Sequence, residues 1–152
     1  MVRCGARRSM LAWVVVTGIA SVASADGDFG TRQEAETLAS QVIDIVDRDG
    51  IAAAIQAMHD PAYPFVSSRM GVNLFSGSTV VADNREPETI AADYAETTDL
   101  TGQLAWPIIA AAARANDDAR LRWYHYDTQE AYEYRCYAMS SRDMVTTVMV
   151  CR

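Results

Sequence analysis

The chain has 152 residues, with 20 acidic residues against 13 basic ones and a net charge of −7. All 13 basic residues are arginine, which excludes Schiff-base or Walker-type lysine chemistry and leaves arginine as the one fixed cation for an anionic ligand. The acidic balance makes nucleic acid and anionic lipid poor partners.

Arg3, Arg7 and Arg8 precede an apolar run over residues 11–22, followed by Ala23, Ser24 and Ala25. A basic head, a short apolar middle and small residues before a cleavage point are the parts of a secretory signal peptide. Residues 1–25 are therefore read as a leader and Asp26 as the new N-terminus; Arg7-Arg8 also permits twin-arginine export. The apolar run is shorter than the roughly 20 residues a membrane span needs. Cleavage removes three of the 13 basic residues and none of the 20 acidic ones, so ten arginines face 20 acids at a net charge of −10. Residues 26–152 suffice for one domain with its own core, in the periplasm or outside the cell.

Residues 31–46 place Ala35, Leu38, Ala39, Val42, Ile43 and Val46 at helical spacing, with Thr31 as N-cap and Glu34 three residues on. This predicts an amphipathic helix, broken by residues 47–50. A second, short helix over 51–58 ends near His59 and Asp60 because Pro61 disfavours helical geometry before it; His59 is read as a helix C-terminal residue. Residues 65–75 and 79–82 then read as two strands around Ser76-Gly77-Ser78, a loop of hairpin type. Residues 83–99 are acidic with little period and read as a loop holding one helical turn. Residues 103–115 read as a helix with Ile108, Ile109, Ala112 and Ala113 inward and Pro107 in its first turn.

Residues 120–126, 131–140 and 144–152 are rich in aromatic and β-branched residues and are separated by short polar turns, which predicts three antiparallel strands in meander order. Strand alternation puts Arg122, Tyr124 and Tyr126 on one face and Leu121, Trp123 and His125 on the other. Rings on both faces point either to a sheet packed on both sides or to one packed face and one pocket. Cys4 leaves with the leader. Cys136 and Cys151 fall opposite each other in a hairpin centred on 142–144, which in an oxidising compartment favours a disulfide over two buried thiols. Two cysteines with the distant His59 and His125 make no zinc site, and no cofactor motif occurs. The order helix, helix, two strands, helix, three strands suits an α+β fold with a five-stranded antiparallel sheet, a long N-terminal helix and a helix before the last three strands.

Asp60-Pro61, a hairpin around Gly77, Val80-Val81 leading to Asp83-Asn84, a proline in an acidic loop, Asp99 and Gly102 in D-x-x-G spacing, then a helix, an aromatic strand and two final strands resemble the single Cache domain. The resemblance runs over residues 31–152 and rests on the order of these motifs. It implies a PAS-like extracytoplasmic sensor module that binds a small carboxylate or amino acid between the sheet and the loops above it. The family often has Tyr-x-Trp where this chain has Tyr124-His125-Tyr126, and a lysine before a tyrosine where the nearest residues here are Tyr134 or Arg135 before Tyr137. The expectation is a free-standing secreted Cache protein that passes its signal to a separate membrane-bound sensor protein.

A carboxylate ligand needs a fixed cation or several donors in a partly dry pocket. Arg122 or Arg135 beside Tyr124, Tyr126 and Tyr137, with Asn73 from the first hairpin, is the candidate ligand-binding set; the alternative is that these arginines cover the sheet and pair with Glu133 or Asp127. As an enzyme, the chain would have to use Tyr124, Tyr126, Asp127 and His125 for proton transfer, since no G-x-S-x-G, H-E-x-x-H or phosphate loop is present. His125 reads more simply as a packing residue. A third reading is an envelope scaffold or inhibitor acting through the loop 83–99.

Overall fold

The computed structural model describes residues 29–152, and the expected leader and its cleavage point lie outside the described residues. Thr31 and Glu34 form the predicted capping box: the Glu34 N–H donates to Thr31 Oγ1 (3.2 Å) and the Thr31 N–H to Glu34 Oε2 (2.8 Å). Two otherwise orphaned backbone donors are thereby satisfied at the start of α1 (Arg32–Asp49). Ala35, Leu38, Ala39, Val42 and Ile43 form its buried stripe. Gly50 separates α1 from α2 (Ile51–Ala57).

Five strands follow, β1 (Gly71–Ser76), β2 (Thr79–Asp83), β3 (Asp118–Tyr124), β4 (Ala131–Ser140) and β5 (Thr146–Cys151), with α3 (Ala105–Ala115) between β2 and β3. They make one antiparallel sheet in the order β2-β1-β5-β4-β3. The last strand thus lies at the centre, paired to β1 on one side and β4 on the other. Gly77 turns the β1–β2 hairpin at φ 57°, a left-handed conformation that glycine adopts without a Cβ penalty.

β1 begins later than the sequence pattern predicts. Residues 65–70 form turns, and the side chain of Asn84 holds their two ends: Nδ2 donates to the carbonyls of Phe65 (2.8 Å) and Met70 (3.1 Å), while Oδ1 accepts from the N–H of Val72 in β1 (2.6 Å). In α3, Ala105, Ile109, Ala112 and Ala113 are buried, whereas Ile108, expected inward, is only half-buried. Pro107 sits in the first helical turn, where no intrahelical donor is lost.

The two faces of the sheet are covered differently. α1 packs against β4 and β5, with the Arg32 guanidinium 5.6 Å from the ring centre of buried Tyr137. On the other face lie Asn73 and Phe75 of β1, Met149 and Cys151 of β5, Tyr134 and Cys136 of β4, and Leu121 and Trp123 of β3, as register and alternation require. The loop over residues 84–104, with the first turn of α3, covers this second face. Trp106 packs on Phe75 (5.5 Å between ring centres), and Tyr94 on Phe75 (5.2 Å) and Trp123 (6.3 Å).

That loop is fastened to both edges of the sheet. At the β2 edge, the Val80 N–H donates to the Ala92 carbonyl (3.0 Å) and the Ala91 N–H to the Val80 carbonyl (2.8 Å). At the β3 edge, the Leu100 N–H donates to the Arg122 carbonyl (2.8 Å) and the Arg122 N–H to Asp99 Oδ2 (3.2 Å). Asp99 Oδ1 also accepts from Thr101 Oγ1 and from the N–H groups of Thr101 and Gln103. Burial opposes ionisation of Asp99, but these hydrogen bonds outweigh it and hold its pKa below the usual carboxylate value. One arch of chain thus covers part of each edge, at Val80 of β2 and at Arg122 of β3.

Candidate functional site

Beneath this arch lies a cavity of about 30 Å³, with about 380 Å³ of empty space once its mouth is included. Asn73, Leu121, Trp123, Tyr134 and Met149 of the sheet line it together with the two cysteines, and Glu86, Tyr94 and Tyr126 close over them. The disulfide between Cys136 and Cys151 forms part of its floor. Arg135 and Arg152 exchange both backbone hydrogen bonds (3.0 Å each), so the next pair, Cys136 and Cys151, is a non-hydrogen-bonded one. Side chains approach most closely at such pairs, and the sulfurs meet there.

Tyr126 reaches the cavity in a way that strand alternation does not predict. The sequence pattern places it on the face of Arg122 and Tyr124, but β3 ends at Tyr124 and the chain turns. The His125 N–H donates to the Glu130 carbonyl (2.8 Å) and the Tyr126 N–H to Tyr134 Oη (2.9 Å), so Tyr126 lies over the face of Trp123. Its hydroxyl occupies the space above Gly71, where a Cβ would lie 1.9 Å from it. Glycine at 71 is therefore a packing requirement of the Tyr126 ring. Gly71→Ala is expected to lower stability by about 1–3 kcal/mol, the usual cost of overpacking; an unchanged urea midpoint would show that the ring swings clear at no cost.

Phe29 extends the same aromatic cluster. It is buried against Tyr126 (5.3 Å between ring centres), Tyr134 (5.9 Å) and His125 (4.9 Å). His125 packs edge-on to Tyr132 as well, and its Nδ1 accepts from the N–H groups of Asp127 and Thr128. Arg85 covers the cluster from outside: its guanidinium lies 4.8 Å from the Tyr126 ring centre and 5.8 Å from that of Phe29, and it donates to the Arg69 carbonyl and to Asp127.

Of the residues the sequence singles out, Asn73 and Tyr126 line the cavity. Arg122 and Tyr124 are exposed on the opposite face, Arg135 is half-buried on that face, and Tyr137 is buried there beneath α1. Glu86, Tyr94, Trp123 and Tyr134 complete the cavity without having been read as site residues. Trp123 carried the one available signal, since it shares a strand face with Leu121; Glu86 and Tyr94 sit in a loop without period.

The polar groups at the cavity divide into committed and free ones. Asp83, behind Asn73, is saturated: Oδ1 accepts from the N–H groups of Arg85 and Glu86 (2.8 Å each), and Oδ2 from Thr89 Oγ1 (2.8 Å) and Asn73 Nδ2. Burial, then the neighbouring Asp83 and Glu88 carboxylates, raise the pKa of Glu86. Burial raises Tyr94 and Tyr134 to about 12 and Tyr126 well above its ordinary value. The tyrosines are therefore neutral near pH 7. No basic side chain among the described residues lines the cavity.

No protein-family model matches the sequence, and no curated protein matches it. Solved structures do match. A methyl-accepting chemotaxis protein from Vibrio parahaemolyticus RIMD 2210633 superposes with a TM-score of 0.58 at 14% identity, over 79% of this chain and 81% of that one. A periplasmic sensor domain of a chemotaxis protein gives a TM-score of 0.58 at 14% identity, over 79% of this chain and 88% of that one. A Cache chemosensory domain, solved for its recognition of carboxylic acid, gives a TM-score of 0.57 at 12% identity over 79% and 86% of the two chains. The chain has the α+β fold of Cache-type periplasmic sensor domains.

Proposed function

We propose that this protein is an extracytoplasmic, sensor-type binding domain whose ligand, a small carboxylate or an amino acid, enters the cavity between the sheet and the arch 84–104. The observation that carries this reading is the cavity itself, enclosed by Asn73, Trp123, Tyr126 and Tyr134 under a loop fastened at both sheet edges. Such a concave, mostly apolar site with a few convergent polar groups is the general form of a small-molecule site. A disulfide in its floor accords with an oxidising compartment. The bound state would be read by a separate membrane-bound sensor protein.

A thermal-shift screen of small carboxylates and amino acids tests the proposal. A ligand confined to the folded state adds about 2.7 kcal/mol at a hundredfold excess over Kd, so a clear rise in Tm is expected. Tyr126→Phe should then weaken binding by about 1 kcal/mol, the loss of one hydrogen bond. Tyr124→Phe, on the far face, should leave it unchanged. No shift across the library, or affinity controlled by Tyr124 and Arg122, would refute the site.

A further inference from the structure

Arg32, Arg48, Arg85, Arg142 and Arg152 each pair with an aspartate. Arg120, Arg122 and Arg135 pair with no carboxylate among the described residues, although residues 26–152 hold all 20 acidic residues of the chain. These three arginines stand together on the sheet face away from the cavity. Arg120 lies directly opposite Arg135 in the β3–β4 register, and Arg122 follows two residues along β3, about 7 Å away. Like charges placed directly across a ladder destabilise a sheet, so this arrangement works against the fold. Glu133, opposite Arg122, is exposed and forms no ion pair among the described residues. Glu36 of α1 acts on the neighbouring Tyr137 but pairs with none of the three. Towards the other end of the strands, Arg32 and Arg152 are already balanced by Asp117 and Asp118. Arg120 and Arg122 are exposed, Arg135 is half-buried, and Tyr124, next on the same face of β3, is 49% exposed.

We infer that this face of β3 and β4 is a docking surface for an extended, acidic segment of another protein, whose carboxylates pair with Arg120, Arg122 and Arg135 beside the Tyr124 ring. Guanidinium groups grip carboxylates through paired, charge-assisted hydrogen bonds, and arginine and tyrosine are among the residue types enriched at protein interfaces. The spacing fits an extended chain, because alternate side chains of a strand repeat at the same distance of about 7 Å as Arg120 and Arg122. Charge decides between the possible occupants. An anionic membrane or a second copy of this acidic chain would face the negative charge of the whole molecule, whereas a single segment meets only the basic patch. The surface lies across the sheet from the cavity, so it stands or fails separately from the ligand site.

Fluorescence anisotropy of a labelled peptide of alternating serine and glutamate, titrated with the protein lacking residues 1–25 at low ionic strength, tests this. Binding is expected, and added salt should weaken it. The double variant Arg120→Gln/Arg135→Gln should weaken it at least about tenfold, as loss of charge-assisted contacts does. Its melting temperature should be no lower than that of the parent, since it removes a like-charge pair. Glu133→Gln should strengthen binding. Arg69→Gln/Arg114→Gln is the control, because it changes the net charge equally at two exposed arginines that also pair with no carboxylate among the described residues; it should shift affinity by less than about twofold. Absence of peptide binding, or equal weakening by the two double variants, would overturn the surface. Phosphatidylglycerol vesicles bound through Arg120 and Arg135 in place of the peptide would make the occupant a membrane and overturn the inference. Self-association in sedimentation velocity that Arg120→Gln/Arg135→Gln abolishes would overturn it in favour of a second copy.

Discussion

Asp118→Ala is expected to destabilise the protein by about 3–5 kcal/mol, the usual cost of stripping one partner from a buried ion pair. Asp118 grips Arg152 through two parallel contacts, Oδ1 to Nη1 at 3.0 Å and Oδ2 to Nη2 at 2.7 Å. The Arg152 side chain is 4% exposed, so without Asp118 its charge would stay largely out of water. The guanidinium has little else to turn to: Nη1 reaches the Arg135 carbonyl only at 3.4 Å, and Nε has no partner among the described residues. The reverse change, Arg152→Met, should cost less, because Asp118 keeps Arg32 at 3.6 Å and is partly in contact with water. Urea denaturation of both variants measures the difference. A loss below about 1 kcal/mol for Asp118→Ala would mean that the pair contributes no more than a surface salt bridge.

The second large effect is expected from the disulfide. Joining Cys136 to Cys151 closes a loop with a sequence separation of 15, which in the chain-entropy account stabilises by about 3 kcal/mol. Replacing both cysteines with alanine should lower Tm by on the order of 10 °C, given the unfolding entropy of a domain of this size. In the native protein lacking residues 1–25 neither thiol should react with an alkylating reagent. Two modified cysteines without prior reduction would contradict the bond. The sulfurs also line the cavity, so the alanine variant should alter ligand affinity by more than its stability loss explains.

Both contacts secure the same end of the same strand. β5 is the central strand, and its end is fixed to β4 by the disulfide and the Arg135–Arg152 backbone pair and to β3 by the Asp118–Arg152 ion pair. Effects at adjacent fastenings do not add. The triple variant should therefore lose less or more than the sum of its parts, according to whether the strand end frays after the first loss. Hydrogen exchange at the backbone amides of Val150 and of position 151 would report that fraying directly.

What the sequence determined on its own was local periodicity and its punctuation. The capping box of Thr31 and Glu34, the apolar stripe of α1, the hairpin at Gly77 and the aromatic run of β3 each follow from the stereochemistry of a few neighbouring residues. The cysteine pairing was legible for the same reason, since a short turn sets hairpin register. Tertiary structure decided which face of the sheet each helix covers, and with it the side on which the cavity lies. Alternation states that Leu121 and Trp123 oppose Arg122 and Tyr124, but not which set meets α1. The site adds a second reason. Tyr126 turns inward because β3 stops two residues earlier, Gly71 makes room for its ring, and Phe29 and Glu86 arrive from segments distant in the chain. Such contacts between remote segments leave no period in the sequence, because their geometry is set by how packed elements meet rather than by the path of any one of them.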